Sequence, residues 1–227
     1  MKLYTKSAYL AIGIAIGFAV FGEGEVRPAE VLPDPIELAF PLVKVKSPYI
    51  INDLSYLRED NFLGESFYDK FGISECYVHR DIMPNMVRLA KILEREKVRA
   101  VMSDCFRPHE AQIYMWKRQP NPKFLANPYR GGSLHSRGIA VDMALADMDG
   151  KKLDFANYID SFTDDDGHDY VCKKGEEEGC RNRARLKRIM EEAGFQSIKH
   201  EWWHYQIPDN WRDYPLIRVC SVVKCTE

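Results

Sequence analysis

Three side chains able to bind a metal, His135, Asp142 and His204, share this chain with a carboxylate, Glu201, placed three positions before the last of them. A catalytic zinc takes three protein ligands from His and carboxylate side chains and keeps a fourth position for water. The inventory therefore suits one Zn2+ per chain. A nearby carboxylate outside the ligand set can accept the proton of attacking water, and Glu201 is the candidate for that base. Each residue also has a plainer reading. His135, in a loop that starts Gly-Gly-Ser, could be a hydrogen-bonding histidine, Asp142 could cap a turn, and "EWWH" (201–204) could be a core aromatic cluster. "HEAQI" (109–113) lacks the second histidine of H-E-x-x-H and is no zincin motif.

Such a site needs elements that aim its side chains. "GIAVDMALAD" alternates, with Ile139, Val141 and Met143 facing one way and Ala140, Asp142 and Ala144 the other. On a strand, Asp142 then lies on a face of small residues, where a ligand has room. "IKHEWWHYQI" has strand composition, but residues three apart on a straight strand face opposite ways. Glu201 is therefore expected in a bend entering the strand, wedged by Trp202 and Trp203, with His204 on the strand itself. "VRAVMSDCF" predicts a strand and turn, and "RPHEAQIYMWKRQ" a helix with Pro108 near its first position, which puts Arg107 at a strand-to-helix junction facing a cleft. Two amphipathic helices are expected, Pro84 to Lys97 with Met86, Leu89, Ala90 and Leu93 buried, and Asn182 to Phe195 with Leu186, Ile189, Met190 and Ala193 buried. The acidic run Asp164 to Asp166 fails EF-hand spacing and reads as a solvated loop.

With 227 residues, 45% of them hydrophobic, the chain supports one core and one catalytic domain. A net charge of -2 gives no reason to expect nucleic acid, and no Gly-rich phosphate loop suggests a nucleotide. Lys2 and Lys6 precede the uncharged run Ala8 to Gly22, the layout of a signal peptide over residues 1–24, with a membrane anchor as the alternative. The Pro-rich stretch 25–48 predicts an extended linker, 49–215 the catalytic domain and 216–227 a tail with two cysteines. Six cysteines in an exported chain allow disulfides, and short separations favour Cys172 with Cys180 and Cys220 with Cys225, leaving Cys76 with Cys105. The plainer reading is that several are small buried thiols.

"SLHSRGIAVD" (133–142) resembles the S-x-H-x-x-G-x-A-x-D signature of zinc D-alanyl-D-alanine peptidases, and "EWWH" their second signature. "DNFLG" (60–64), "FRPHEAQ" (106–112) and "NRARLKRIMEEAGF" (182–195) follow in the order of the VanX-type dipeptidases. The resemblance implies zinc on His135, Asp142 and His204, Glu201 as base and Arg107 stabilising the oxyanion of the transition state. A salt bridge from Arg107 to Asp104 is the plainer reading, and both hold if Asp104 orients the arginine. Ser133 and Asp104 fall on the substrate side. Leu134 departs from the small polar residue usual before the motif histidine, and the tail "RVCSVVKCTE" lies outside the resemblance.

The expectation is an α+β fold, a central antiparallel sheet flanked by helices with zinc in a cleft, hydrolysing D-alanyl-D-alanine. Exported DD- or LD-carboxypeptidases acting on peptidoglycan stem peptides share this chemistry. A zinc-containing cell-wall binding module without activity is a rival of another class, against which Glu201 argues. The location expected is exported, periplasmic or envelope-associated, with the cytoplasm as the alternative.

Overall fold

The computed structural model describes residues 41–208 and 210–218, so the leader, most of the Pro-rich stretch, Cys220 and Cys225 lie outside the described residues. In chain order the elements are β1 (Leu42–Lys44), β2 (Ile50–Asn52), β3 (Tyr77–His79), α1 (Met83–Glu96), β4 (Arg99–Asp104), α2 (His109–Arg118), β5 (Ala140–Ala146), α3 (Glu177–Glu192), β6 (Gln196–Ile198) and β7 (Glu201–Gln206). Five strands form the central sheet in the order β2-β4-β5-β7-β6, and β1 with β3 makes a separate two-stranded ribbon. The sheet is antiparallel except at its edge, where β2 joins β4 in parallel. The fold is α+β, as expected.

Amphipathic stripes attach the helices. Met86, Leu89, Ile92 and Leu93 are the buried residues of α1, and Leu186, Ile189 and Met190 are the apolar buried side chains of α3. The two helices touch each other and pack on the sheet. Helix α3 starts at Glu177, five residues ahead of the predicted Asn182. Glu177 and Glu178 fall in its first turn, where acidic side chains suit the positive end of a helix dipole. The Pro-rich stretch likewise ends inside the domain, because Leu42 and Val43 find buried places as β1 pairs with β3.

The strands bring the chemistry into one row. Asp104 at the end of β4 pairs with Asp142 on β5, which pairs in turn with His204 on β7. Against β6, the pair Ser197 and Tyr205 is followed directly by Ile198 and Glu201, so Trp202, Trp203 and His204 form a bulge in β7. The bulge removes the strict alternation that would have turned Glu201 and His204 apart. Glu201 thus begins β7 itself, after a turn at Lys199 and His200, and the irregularity sits inside the strand rather than ahead of it. Trp202 stacks on Phe155 with centroids 4.5 Å apart and meets Trp203 edge-on at 5.4 Å, and both indoles are buried.

His135 comes from a 3₁₀ turn, His135–Arg137, that Gly138 ends at φ 69°. A Cβ on Gly138 would lie 2.9 Å from the backbone nitrogen of His79, which donates to the Gly138 carbonyl at 2.7 Å. Gly138→Ala should therefore combine left-handed strain with a backbone clash, costing about 1–3 kcal/mol. A thermal melt checks this, and an unchanged midpoint would contradict it.

Candidate metal centre

Three donor atoms converge at the row's end. His135 Nε2 lies 3.1 Å from His204 Nδ1 and 3.3 Å from Asp142 Oδ1, and the last two are 3.0 Å apart. Among the described residues these three form a group that could hold a metal ion, all buried. Tetrahedral bonds of about 2.0–2.1 Å place ligand atoms roughly 3.3 Å from one another, so the spacing fits zinc.

The outer nitrogens of both rings are engaged. His135 donates from Nδ1 to the Cys105 carbonyl at 2.9 Å, which leaves Nε2 free of its proton and facing the cluster. His204 donates from Nε2 to Gln206 Oε1 at 3.3 Å, which leaves Nδ1 facing the same point. Charge agrees with geometry. Burial opposes ionisation of Asp142, but the His135 and His204 imidazoles outweigh it and hold the carboxyl well below the usual range. Burial would push His135 down, yet Asp142 and Asp104 raise it. The carboxylates thus favour positive charge at this point, which a metal ion would supply.

Glu201 stands beside this group without joining it, its Oε2 3.7 Å from His204 Nδ1. Burial pushes its carboxyl up to about 8, against the partial relief of the His204 charge. A carboxyl with that tuning, next to the ligands but outside them, is placed to exchange a proton near neutral pH.

Arg107 is buried at the cavity wall, as its junction position implied. Its Nε donates to Asp104 Oδ2 at 2.8 Å, a terminal nitrogen does the same, and the other terminal nitrogen donates to Gln112 Oε1 at 2.7 Å. A terminal nitrogen also lies 3.9 Å from Asp142 Oδ2, on the side of the metal ligands. The Tyr56 ring lies 5.3 Å from the Arg107 Cζ.

Asp104 differs from expectation. It does not line the cavity; its carboxylate is spent on Arg107, the Tyr68 hydroxyl and the Cys105 N–H. The ladder to β5 is irregular between Met102 and Asp104, and Asp104 positions the arginine while its Oδ2 also lies 3.5 Å from His135 Nδ1, behind the metal ligand. Ser133 does line the cavity, although its Oγ accepts the His135 N–H at 3.2 Å.

A cavity of about 200 Å³ gathers these residues with Tyr56, Leu134 and Asp160. Sequence reasoning missed Asp160 and Tyr56. Asp160 opens what looks like one long acidic loop, yet it is held at φ 60° and accepts the Tyr56 hydroxyl at 2.8 Å. Burial and the Asp142 charge raise its carboxyl to about 7. Further along, Asp164 is exposed and Asp165 partly so, as a solvated loop requires, whereas Asp166 is buried and bonded to Ser161, Asn157 and the Thr163 N–H, which corrects that reading at this one residue.

One three-donor metal cluster, a separate carboxylate at its edge and a guanidinium across a small cavity define a metal-dependent hydrolytic centre on an α+β domain. The chain belongs to the peptidase family described as D-ala-D-ala dipeptidase, which matches residues 39–221. It is 32% identical over 167 residues to the D-alanyl-D-alanine dipeptidase of Escherichia coli, across 73% of this chain and 82% of that one. Its identity to the D-alanyl-D-alanine dipeptidase of Enterococcus faecium is 25%, across 72% and 91%. Among solved structures, a VanB-type vancomycin resistance D,D-pentapeptidase, VanY, in complex with Zn(II) aligns over 59% of this chain and 74% of its own. The identity is 17% and the TM-score 0.36, too slight a likeness to carry its ligand across.

Proposed function

We propose that the chain is a zinc peptidase that hydrolyses D-alanyl-D-alanine to free D-alanine. The observation that carries this reading is the convergence of His135, Asp142 and His204 beside an independent Glu201. Zinc, when bound there, supplies Lewis acidity that polarises the scissile carbonyl and makes water more acidic. Glu201 takes the proton of the attacking water and passes it to the leaving amine. Arg107, at the cavity wall, stabilises the oxygen that gains charge. Asp160 receives the substrate's ammonium group, and Leu134 with Ser133 closes the wall beside it. A cavity near 200 Å³ lies below the roughly 300 Å³ at which drug-sized pockets begin, which favours a dipeptide.

The test is release of D-alanine from the free dipeptide and from a stem pentapeptide, each with and without a chelator. Chelator-sensitive turnover of the dipeptide is expected, and turnover of the pentapeptide alone would overturn the choice. The carboxypeptidase reading has one observation in its favour. A second cavity of about 430 Å³, bounded by Ala144, Phe155, Tyr158 and Trp202, lies beside residues of β5 and β7 and offers space for more of a stem peptide than a dipeptide needs. Export through the N-terminal segment is part of the proposal, supported by pairs at Cys76 with Cys105 and Cys172 with Cys180, whose Cα atoms lie 5.3 and 6.3 Å apart.

Asp160 gives a pH signature. With its carboxyl near 7, the group is neutral below that pH and charged above it, so affinity for an ammonium should rise, and KM fall, as pH passes upward through about 7. Asp160→Asn should raise KM at pH 8 by roughly tenfold or more, the loss of one charged hydrogen bond, and abolish the KM step. A step that persists in the variant would assign it elsewhere.

A further inference from the structure

The crosslink between Cys76 and Cys105 sits one residue from the arginine's carboxylate partner and one hydrogen bond from a metal ligand. The Cys105 carbonyl accepts the His135 Nδ1–H, and the Cys105 N–H donates to Asp104 Oδ1 at 2.9 Å. One peptide backbone therefore sets both the His135 tautomer and the carboxylate that holds Arg107. The sheet does not hold that backbone. The β4 ladder to β5 is irregular between Met102 and Asp104, and Asp104 is its last paired residue. Beyond it the chain is tied to the outlying ribbon, through Cys76 and through the Phe106 N–H to the Tyr77 carbonyl at 2.9 Å. The ribbon side is anchored in turn by the Val45 N–H on the Cys76 carbonyl at 2.9 Å and the His79 N–H on the Gly138 carbonyl at 2.7 Å.

We infer that Cys76 and Cys105 are positioning residues for the metal centre, their bond fixing the Cys105 carbonyl against His135 and thereby setting zinc affinity. The second pair differs. Cys172 and Cys180 close a loop at the start of α3, and neither residue lines the metal cavity. It serves as a control with the same chemistry and another location.

The inference rests on zinc binding at His135, Asp142 and His204, and its main readout needs no substrate. Zinc dissociation constants are measured by competition with a chromophoric chelator on the full chain, on Cys76→Ala/Cys105→Ala and on Cys172→Ala/Cys180→Ala, at a temperature where circular dichroism shows all three folded. Loss of an outer hydrogen bond to a ligating histidine weakens metal binding by roughly 10–100-fold. The first variant should show that loss, a changed cobalt(II) spectrum and a lower kcat, and the second should match the unaltered chain. Unchanged zinc affinity in the first variant, or equal losses in both, overturns the inference. If the first variant does not fold, the oxidised chain is reduced at low temperature by a phosphine, which leaves two thiols and becomes the phosphine oxide. Zinc affinity that stays constant as the Cys76 and Cys105 thiols appear is then the contrary result. An unaltered chain that fails to bind zinc overturns the metal reading and this inference together, whereas zinc binding without peptide hydrolysis sinks only the proposed activity.

Discussion

Glu201→Gln should lower kcat by roughly 10²–10⁴-fold while zinc stays bound and the fold remains intact. Glutamine keeps the shape of glutamate and removes only its capacity to take a proton. The carboxylate is not among the three donors that could hold the metal, so the ligand set survives the change. Stability should not suffer either. A carboxyl held near 8 in the fold and near its ordinary 4.5 when unfolded binds its proton more tightly in the native state. Its contribution to stability is present below about 4.5 and declines as pH rises through about 8. An uncharged amide escapes that decline, so above neutral pH the variant's melting temperature should equal or exceed that of the unaltered metal-free chain. Rate, zinc content and melting temperature must be read together. Unchanged turnover would remove Glu201 from the mechanism, and turnover lost in step with zinc would make it a structural support of the metal.

The ligands and base were legible because each stands within a short pattern whose geometry can be worked out locally. Asp142 follows from alternation in β5, where its same-face neighbours Ala140 and Ala144 are small. The pairing of Glu201 with His204 was recognisable as a geometric problem, but its solution was not. A three-residue bulge depends on which strand lies alongside, and β6 is a short strand whose register no local pattern specifies. Asp160 was hidden for another reason. Its role depends on burial against Tyr56, more than a hundred positions away in sequence, whereas its own surroundings are acidic and resemble a solvated loop. Asp104 shows the reverse error: its nearness to Arg107 was clear, but the side of the arginine it occupies is set by the bulge at the end of β4.

That placement determines what Arg107→Lys should do. In the native site one guanidinium spans Asp104 and Gln112 and still reaches the cavity wall. An ammonium keeps the charge but offers a point in place of a fork. It can satisfy Asp104, whose carboxylate also retains the Tyr68 hydroxyl and the Cys105 N–H, and so the fold should lose only about 1–3 kcal/mol. It cannot also reach the developing oxyanion. Removing one such donor typically costs 10²–10³ in kcat, so a decrease of roughly that size is expected, with KM for the dipeptide nearly unchanged because the lost contact strengthens only as charge develops. A second arm separates this role from that of a strut for Asp104. In Arg107→Ala, added guanidinium ion should restore part of kcat in a saturable way, since the Tyr56 face and the Asp104 carboxylate that receive the native group remain in place. A strut would behave otherwise. Its loss would lower the melting temperature and zinc affinity together, and free guanidinium would further destabilise the protein instead of restoring its rate.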